Sequence, residues 1–224
     1  MSRSLPTHGA IGALAVIAAL AALAGPGCAT KTVAPVPPEA APPANSPANA
    51  VSRFDWALNH RDAGAIESML ASDFQLVGAS TDSAGNAASV VRDRAWFVSA
   101  LESMMSSSEQ VSLVLDHNMV AFPDSRPGMS SAWHQEIRTS LDLRVRIDSG
   151  NSVEISGNAL FFLTRGDSVS VPQELFSRGM KADATTWWIE RYEDESLAGP
   201  PPPQPSKSLS LMQLLEIYYN RRSK

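Results

Sequence analysis

Leu141, Leu143, Val145 and Ile147 alternate without interruption with Asp142, Arg144, Arg146 and Asp148. A period of two with charged residues on the off-beat gives a strand one of whose faces is buried and the other wet, and a slip of one residue would invert every assignment. A chain holding such a strand must build a sheet with a covered face and a solvated one. Asp148-Ser149-Gly150-Asn151 follows at once and is a tight-turn signal, so residues 153–165 are expected to return antiparallel as a hairpin. The same parity carried backward puts Ile137 and Trp133 on the inner face. It puts His134 outward with Glu136 and Arg138, in a surface ion cluster.

Other segments fit around that hairpin. Val111, Leu113 and Leu115 alternate with polar neighbours as another strand. Residues 184–195 give a last strand, with Trp187 and Ile189 on one face and Trp188, Glu190 and Tyr192 on the opposite, solvated one. Phe54, Leu58, Ile66, Met69 and Leu70 recur at helical spacing with a break near Gly64, giving a first helix that ends before Asp73. Residues 74–77 read as a short strand and 80–89 as a polar loop. Residues 93–105 form a second helix, with Trp96, Phe97, Ala100, Leu101 and Met104 on one side and Asp93 near its start. Residues 51–196 are enough for one domain with a substantial core.

Two segments flank the domain. Residues 29–50 carry six prolines and seven alanines and read as a semi-stiff tether. Residues 197–208 are a second proline-rich linker. Beyond it, residues 209–224 hold the stripe Leu211, Leu214, Leu215 and Tyr218, then Arg221, Arg222 and Lys224, where cations suit a helix C-terminus. The expectation is an amphipathic helix docked back on the sheet, with Trp188 as a contact.

Ala57-Leu58, Arg61-Asp62, Met69-Leu70 and Asp73-Phe74, followed by 94–104 and the tryptophan strand WWIERYEDE at 187–195, resemble the nuclear-transport-factor-2-like, or SnoaL-like, superfamily. The resemblance spans residues 51 to about 195. It implies an α+β fold: a curved antiparallel sheet packed against N-terminal helices in a cone, plus a C-terminal helix. It implies no single activity, because such folds host isomerases, dehydratases, cyclases, epoxide hydrolases and non-catalytic modules.

The N-terminus carries an address. Residues 1–8 contain Arg3, and residues 9–24 are a charge-free run of 16, short for a membrane span and suited to a signal peptide. Gly25-Pro26-Gly27 then leads to Cys28, the only cysteine. This resembles a bacterial lipoprotein signal, cut after residue 27 with acylation of Cys28. The alternative is an ordinary secretory signal with Cys28 incidental, against which stands the oddity of one unpaired thiol in an oxidising compartment. The resemblance implies residence in the bacterial envelope, held to the membrane by the lipid. Ala29 after the cysteine favours the outer membrane, facing the periplasm.

Chemistry is sparse. A net charge of −5 with mixed signs and no basic patch excludes nucleic acid as a partner. His60, His117 and His134 have no metal-ligand spacing, and neither a metal nor another cofactor is expected. Nucleophile-elbow, phosphate-loop and dinucleotide fingerprints are absent. An isomerase-type pair needs a carboxylate beside a donor such as a tyrosine; the domain owns only Tyr192, read here as outward. Trp96, Trp133 and Trp187 are pocket or core aromatics, and Trp56 and Trp188 belong to a contact surface or lie under another segment. The reading is a lipid-anchored periplasmic binding or assembly module without catalysis, its partner an apolar small molecule or an envelope protein. The alternatives are a small-molecule enzyme moving protons in the cone cavity, of isomerase or dehydratase type, and a structural envelope protein. An open cavity with inward carboxylates would favour the enzyme; a filled apolar one would favour packing.

Overall fold

The N-terminal part of the domain forms two helices where the sequence pattern gave one. In the computed structural model, which describes residues 40–81, 87–166, 185–197 and 209–222, helix α1 spans Pro47–Asn59 and α2 spans Ala63–Met69. The Ser46 hydroxyl accepts from the Asn49 N–H at 3.1 Å and Pro47 sits in the first turn, so α1 starts inside the proline- and alanine-rich stretch. Arg61 takes the left-handed conformation (φ 57°), and the Asp62 carboxylate caps α2 through the Ala65 N–H at 2.8 Å. The break is therefore at residues 60–62, not at Gly64.

Strand β1 runs over Leu70–Thr81 and β2 over Ala87–Asp93, pairing antiparallel from Gln75↔Asp93 to Thr81↔Ala87. Much of this pair lies where the sequence suggested a polar loop. Its alanines and serines give almost no hydrophobic alternation, so the period-two signal is missing. Asp93 then caps α3 (Arg94–Ser107), accepting from the Trp96 N–H at 2.8 Å. The remaining strands are β3 (Gln110–Leu115), β4 (Phe122–Pro123), β5 (His134–Asp148), β6 (Asn151–Gly166) and β7 (Thr186–Leu197); helix α4 is Leu211–Arg222.

The seven strands form one curved, unclosed sheet ordered β2-β1-β7-β6-β5-β3, with β4 also on β5. Together with the helices this is an α+β cone. The β5–β6 hairpin is its spine, with Ile137 opposite Phe161, Leu143 opposite Ile155 and Val145 opposite Val153. Leu141, Leu143 and Val145 are buried and Asp142, Arg144 and Arg146 exposed, as their alternation requires; Ile147, near the turn, is half-buried. One pair departs from the antiparallel expectation: β1 and β7 run parallel.

Helix α4 closes the inner face. Ser210 and Gln213 form a reciprocal capping box, Ser210 N–H to Gln213 Oε1 at 3.0 Å and Gln213 N–H to Ser210 Oγ at 3.2 Å. The sheet supplies the next two caps. The Leu211 N–H donates to Ser196 Oγ and the Met212 N–H to Asp194 Oδ2, both at 2.9 Å. Gly78 lets the helix this close, since a Cβ there would stand 3.0 Å from Met212 Cβ and 3.1 Å from Asp194 Cβ. Further along, Glu216 takes a hydrogen bond from Ser80 Oγ (2.6 Å) and an ion pair from Arg92 (2.7 Å). Leu211, Met212, Leu214, Leu215 and Tyr218 are all buried. Each such side chain contributes about 1.5–3 kcal/mol relative to exposure.

Candidate functional site

A single inserted residue decides what faces the cone interior. Ile189 pairs with Leu163, but Arg191 pairs with Phe162, so Glu190 is extra and β7 is bulged there. In such a bulge two successive side chains share one face and the parity beyond it inverts. Glu190 and Arg191 both point outward. Tyr192 and Asp194, which strict alternation assigns to the outer face, turn inward with Trp187 and Ile189. The expectation of a solvated Tyr192 is overturned: 1% of it is exposed.

Tyr192 joins an aromatic cluster drawn from four elements. Its ring stacks on Phe161 at 4.7 Å and meets Phe54 and Phe97 edge-on at 6.2 and 6.4 Å. Phe74 adds a contact to Phe97 at 5.1 Å. Phe54, Phe97, Leu141, Tyr192 and Leu211 line a void of about 10 Å³. That is at the lower limit for a single water molecule, and a water needs two or more polar partners. The Tyr192 hydroxyl is buried with no hydrogen-bond partner among the described residues. Burial, and then the charge of Asp194, push its pKa well above the ordinary tyrosine value, so it is a neutral donor at any physiological pH.

Asp194 is the carboxylate nearest in role to a general base, and it is committed elsewhere. Its Oδ1 accepts from the Ser196 N–H and its Oδ2 from the Met212 N–H, each at 2.9 Å. Proton abstraction needs a carboxylate within hydrogen-bond reach of a bound substrate. With α4 in place each Asp194 oxygen already accepts a backbone N–H, and the void beside Tyr192 is about 10 Å³.

The outer face carries a second polar assembly. Arg126 donates to Asp124 at 2.6 Å and to Glu190 at 3.2 Å, and its guanidinium lies 4.4 Å from the Phe162 ring centre. Burial works against the charge on Arg126, but the two carboxylates outweigh it and hold the net shift upward. Beside this cluster His134 and Thr164 are direct partners across β5 and β6, and Thr164 is opposite Trp188 on β7. All three are buried, and His134 Nδ1 and Thr164 Oγ1 lack a hydrogen-bond partner among the described residues. His134 does point to the outer face as its parity requires, but it is covered there. The surface-cluster expectation holds only for its neighbours, where Glu136 takes two hydrogen bonds from Ser125 and Arg138 pairs with Glu195.

The remaining sequence candidates are scattered. Trp187 is buried on the inner face. Trp96 and Trp133 are half-buried and neither lines the void; Trp96 packs 5.3 Å from Tyr219 under Arg92, and Trp133 lies 6.0 Å from the Arg165 guanidinium. Trp56 is half-buried and stacks on His60 at 4.1 Å. Trp188 is buried on the face opposite α4, so it is not that helix's contact. Cys28 lies outside the described residues. Among the described residues no three His, Asp or Glu side chains come together as metal ligands, and no helix is long and apolar enough to cross a membrane. Sequence reasoning missed Asp194, Gly78 and Arg126; of these, only the capping box Ser210-Leu211-Met212-Gln213 beside Asp194 left a readable trace.

No family model matches the chain, and no curated protein does. Among solved structures it is similar to a protein of unknown function from Mycobacterium tuberculosis, at 9% identity and a TM-score of 0.47 over 77% of this chain and 91% of that one. It is also similar to a nuclear-transport-factor-2-like protein with a cystatin-like fold from Novosphingobium aromaticivorans, at 13% identity and a TM-score of 0.42 over 67% and 79%. A candidate scytalone dehydratase from the same organism is similar at 11% identity and a TM-score of 0.43 over 64% and 76%.

Proposed function

We propose that this chain is a lipid-anchored envelope module that works through its surface and performs no chemistry in its cone. The observation that carries the reading is the filled interior: about 10 Å³ of space, against roughly 300–1,000 Å³ for pockets that hold small molecules. The anchor rests on the apolar run ending at Cys28. Intact-mass analysis of membrane-extracted protein is expected to show an acylated Cys28 at the N-terminus, and Cys28→Ser to leave uncleaved precursor or soluble product. An unmodified, soluble natural protein contradicts the anchor.

A second reading is favoured by one specific observation, the unpartnered Tyr192 hydroxyl facing the interior within the field of Asp194. A buried donor without an acceptor is what an enzyme keeps for a substrate oxygen, and α4 would then have to move. Titration with α-tetralone, a small apolar ketone, separates the two. The surface-module reading expects no saturable heat up to the solubility of the ketone. Saturable binding that weakens about tenfold in Tyr192→Phe, the loss of one hydrogen bond of about 1.4 kcal/mol, contradicts the surface-module reading and gives the cone the ligand site that the enzyme reading requires.

A further inference from the structure

The two ends of the sheet are finished differently. At one end β3 is guarded: the Asn59 side-chain amide pairs with the Leu113 backbone in both directions, Nδ2 to O and N–H to Oδ1, each at 2.8 Å. Arg61 covers the carbonyls of Ser108 and Glu109 just before it, at 2.9 and 3.3 Å. The short strand β4, on the same side of β5, is only two residues long and ends in Pro123. These are the devices by which proteins stop an edge from pairing.

At the other end, among the described residues, no side chain is bonded over the backbone of β2, and its charges, Arg92 and Asp93, sit only at its C-terminal end. It is seven residues long, Ala87–Asp93, with no proline, lysine or glycine. Ala88, Ser89 and Val91 are exposed, Val91 by 54%. Among the described residues nothing pairs with its outer backbone edge. A row of free N–H and C=O groups on small, apolar side chains is a template for another strand.

We infer that β2 is a self-association edge whose occupant is β2 of a second copy of this chain, paired antiparallel about a two-fold axis. Pairing centred on Val90 sets Val91 against Ser89 of the other copy, Arg92 against Ala88 and Asp93 against Ala87. No like charges face each other across the seam, and Arg92 is already neutralised at 2.7 Å by Glu216 of its own chain. A two-fold arrangement satisfies both identical rows at once and closes the assembly at two. The proline-rich segments 29–50 and 197–208 are poor rivals for the edge, because proline has no N–H to give a ladder.

Sedimentation velocity of the full chain in detergent, over a dilution series, tests this. Twice the chain mass is expected at the concentrated end, falling to one chain mass on dilution. Val91→Lys places an edge-guarding charge on an already exposed position; it is expected to leave the melting temperature unchanged and to weaken dimerisation at least tenfold. Asn59→Ala strips the guard from the opposite edge and is expected to add species larger than a dimer. A single chain mass at every concentration overturns the inference, as it would if some other segment or protein took the edge. A dimer indifferent to Val91→Lys overturns it too, by placing the contact elsewhere.

Discussion

On the inner face of β7, Tyr192 brings a hydroxyl among phenylalanines with no acceptor among the described residues. On the outer face, one bulge away, Glu190 joins Arg126 and Asp124 in a partly buried ion cluster over Phe162. The same strand thus buries polar groups on both sides. The inner side surrounds one with apolar contacts; the outer side pairs Arg126 with two carboxylates, while His134 Nδ1 and Thr164 Oγ1 beside them lack a partner among the described residues. Filled space and paired charge are both ways of holding a fold together. What the contrast teaches is where to look for a purpose beyond folding: at an inner group whose cost, about 1–3 kcal/mol for an unmade hydrogen bond, no partner among the described residues offsets.

The sharpest way to break the inner–outer contrast is along β5. Leu143 is 2% exposed, and Leu143→Ala is expected to cost about 2–5 kcal/mol in chemical denaturation. Its neighbour Arg144, paired with Glu154 at 2.8 Å on the wet face, should cost no more than about 1 kcal/mol when changed to Ala. Equal losses would mean that the two faces are not distinct.

A smaller effect tests how α4 fills the cone. Gly78→Ala puts a methyl 3.0 Å from Met212 Cβ, between two backbones tied together by Asp194, and overpacking of this kind costs about 1–3 kcal/mol. A neutral or stabilising result would show that α4 has slack and that the interior can be opened cheaply, which would strengthen the enzyme reading.

The smallest effect is in pH. The Tyr192 pKa is raised in the folded chain, so the unfolded chain loses this proton first as pH rises. Its contribution to stability is complete below the ordinary tyrosine pKa of about 10 and falls away as pH climbs from there towards the folded value. Alkaline unfolding should therefore begin near that pH in the natural protein, and start later in Tyr192→Phe.

The sheet's spine was legible in the sequence because β5 pairs strict alternation with a strong turn at residues 148–151. The α4 stripe was legible for a similar reason, a clean helical period between prolines. Three features were not. The bulge at Glu190 is set by pairing with β1 and β6, and no residue in Trp187-Trp188-Ile189-Glu190-Arg191-Tyr192 announces it, so simple alternation assigns Tyr192 to the wrong face. Strand β2 is made of small residues with no apolar rhythm. His134 has an outward position by parity, yet tertiary contacts cover it, and Trp96 is drawn off the core by packing against Tyr219. In each case the deciding partner lies far along the chain, where a local pattern cannot reach.

The cone interior is a filled core in which the Tyr192 hydroxyl has no partner among the described residues. Equilibrium denaturation of Tyr192→Phe at neutral pH measures it directly. Removing an unsatisfied buried hydroxyl while keeping the ring should leave stability unchanged or raise it by about 1 kcal/mol. A loss of about 1 kcal/mol or more would mean that the hydroxyl is held by a partner, and that the interior is a built polar site, not a filled one.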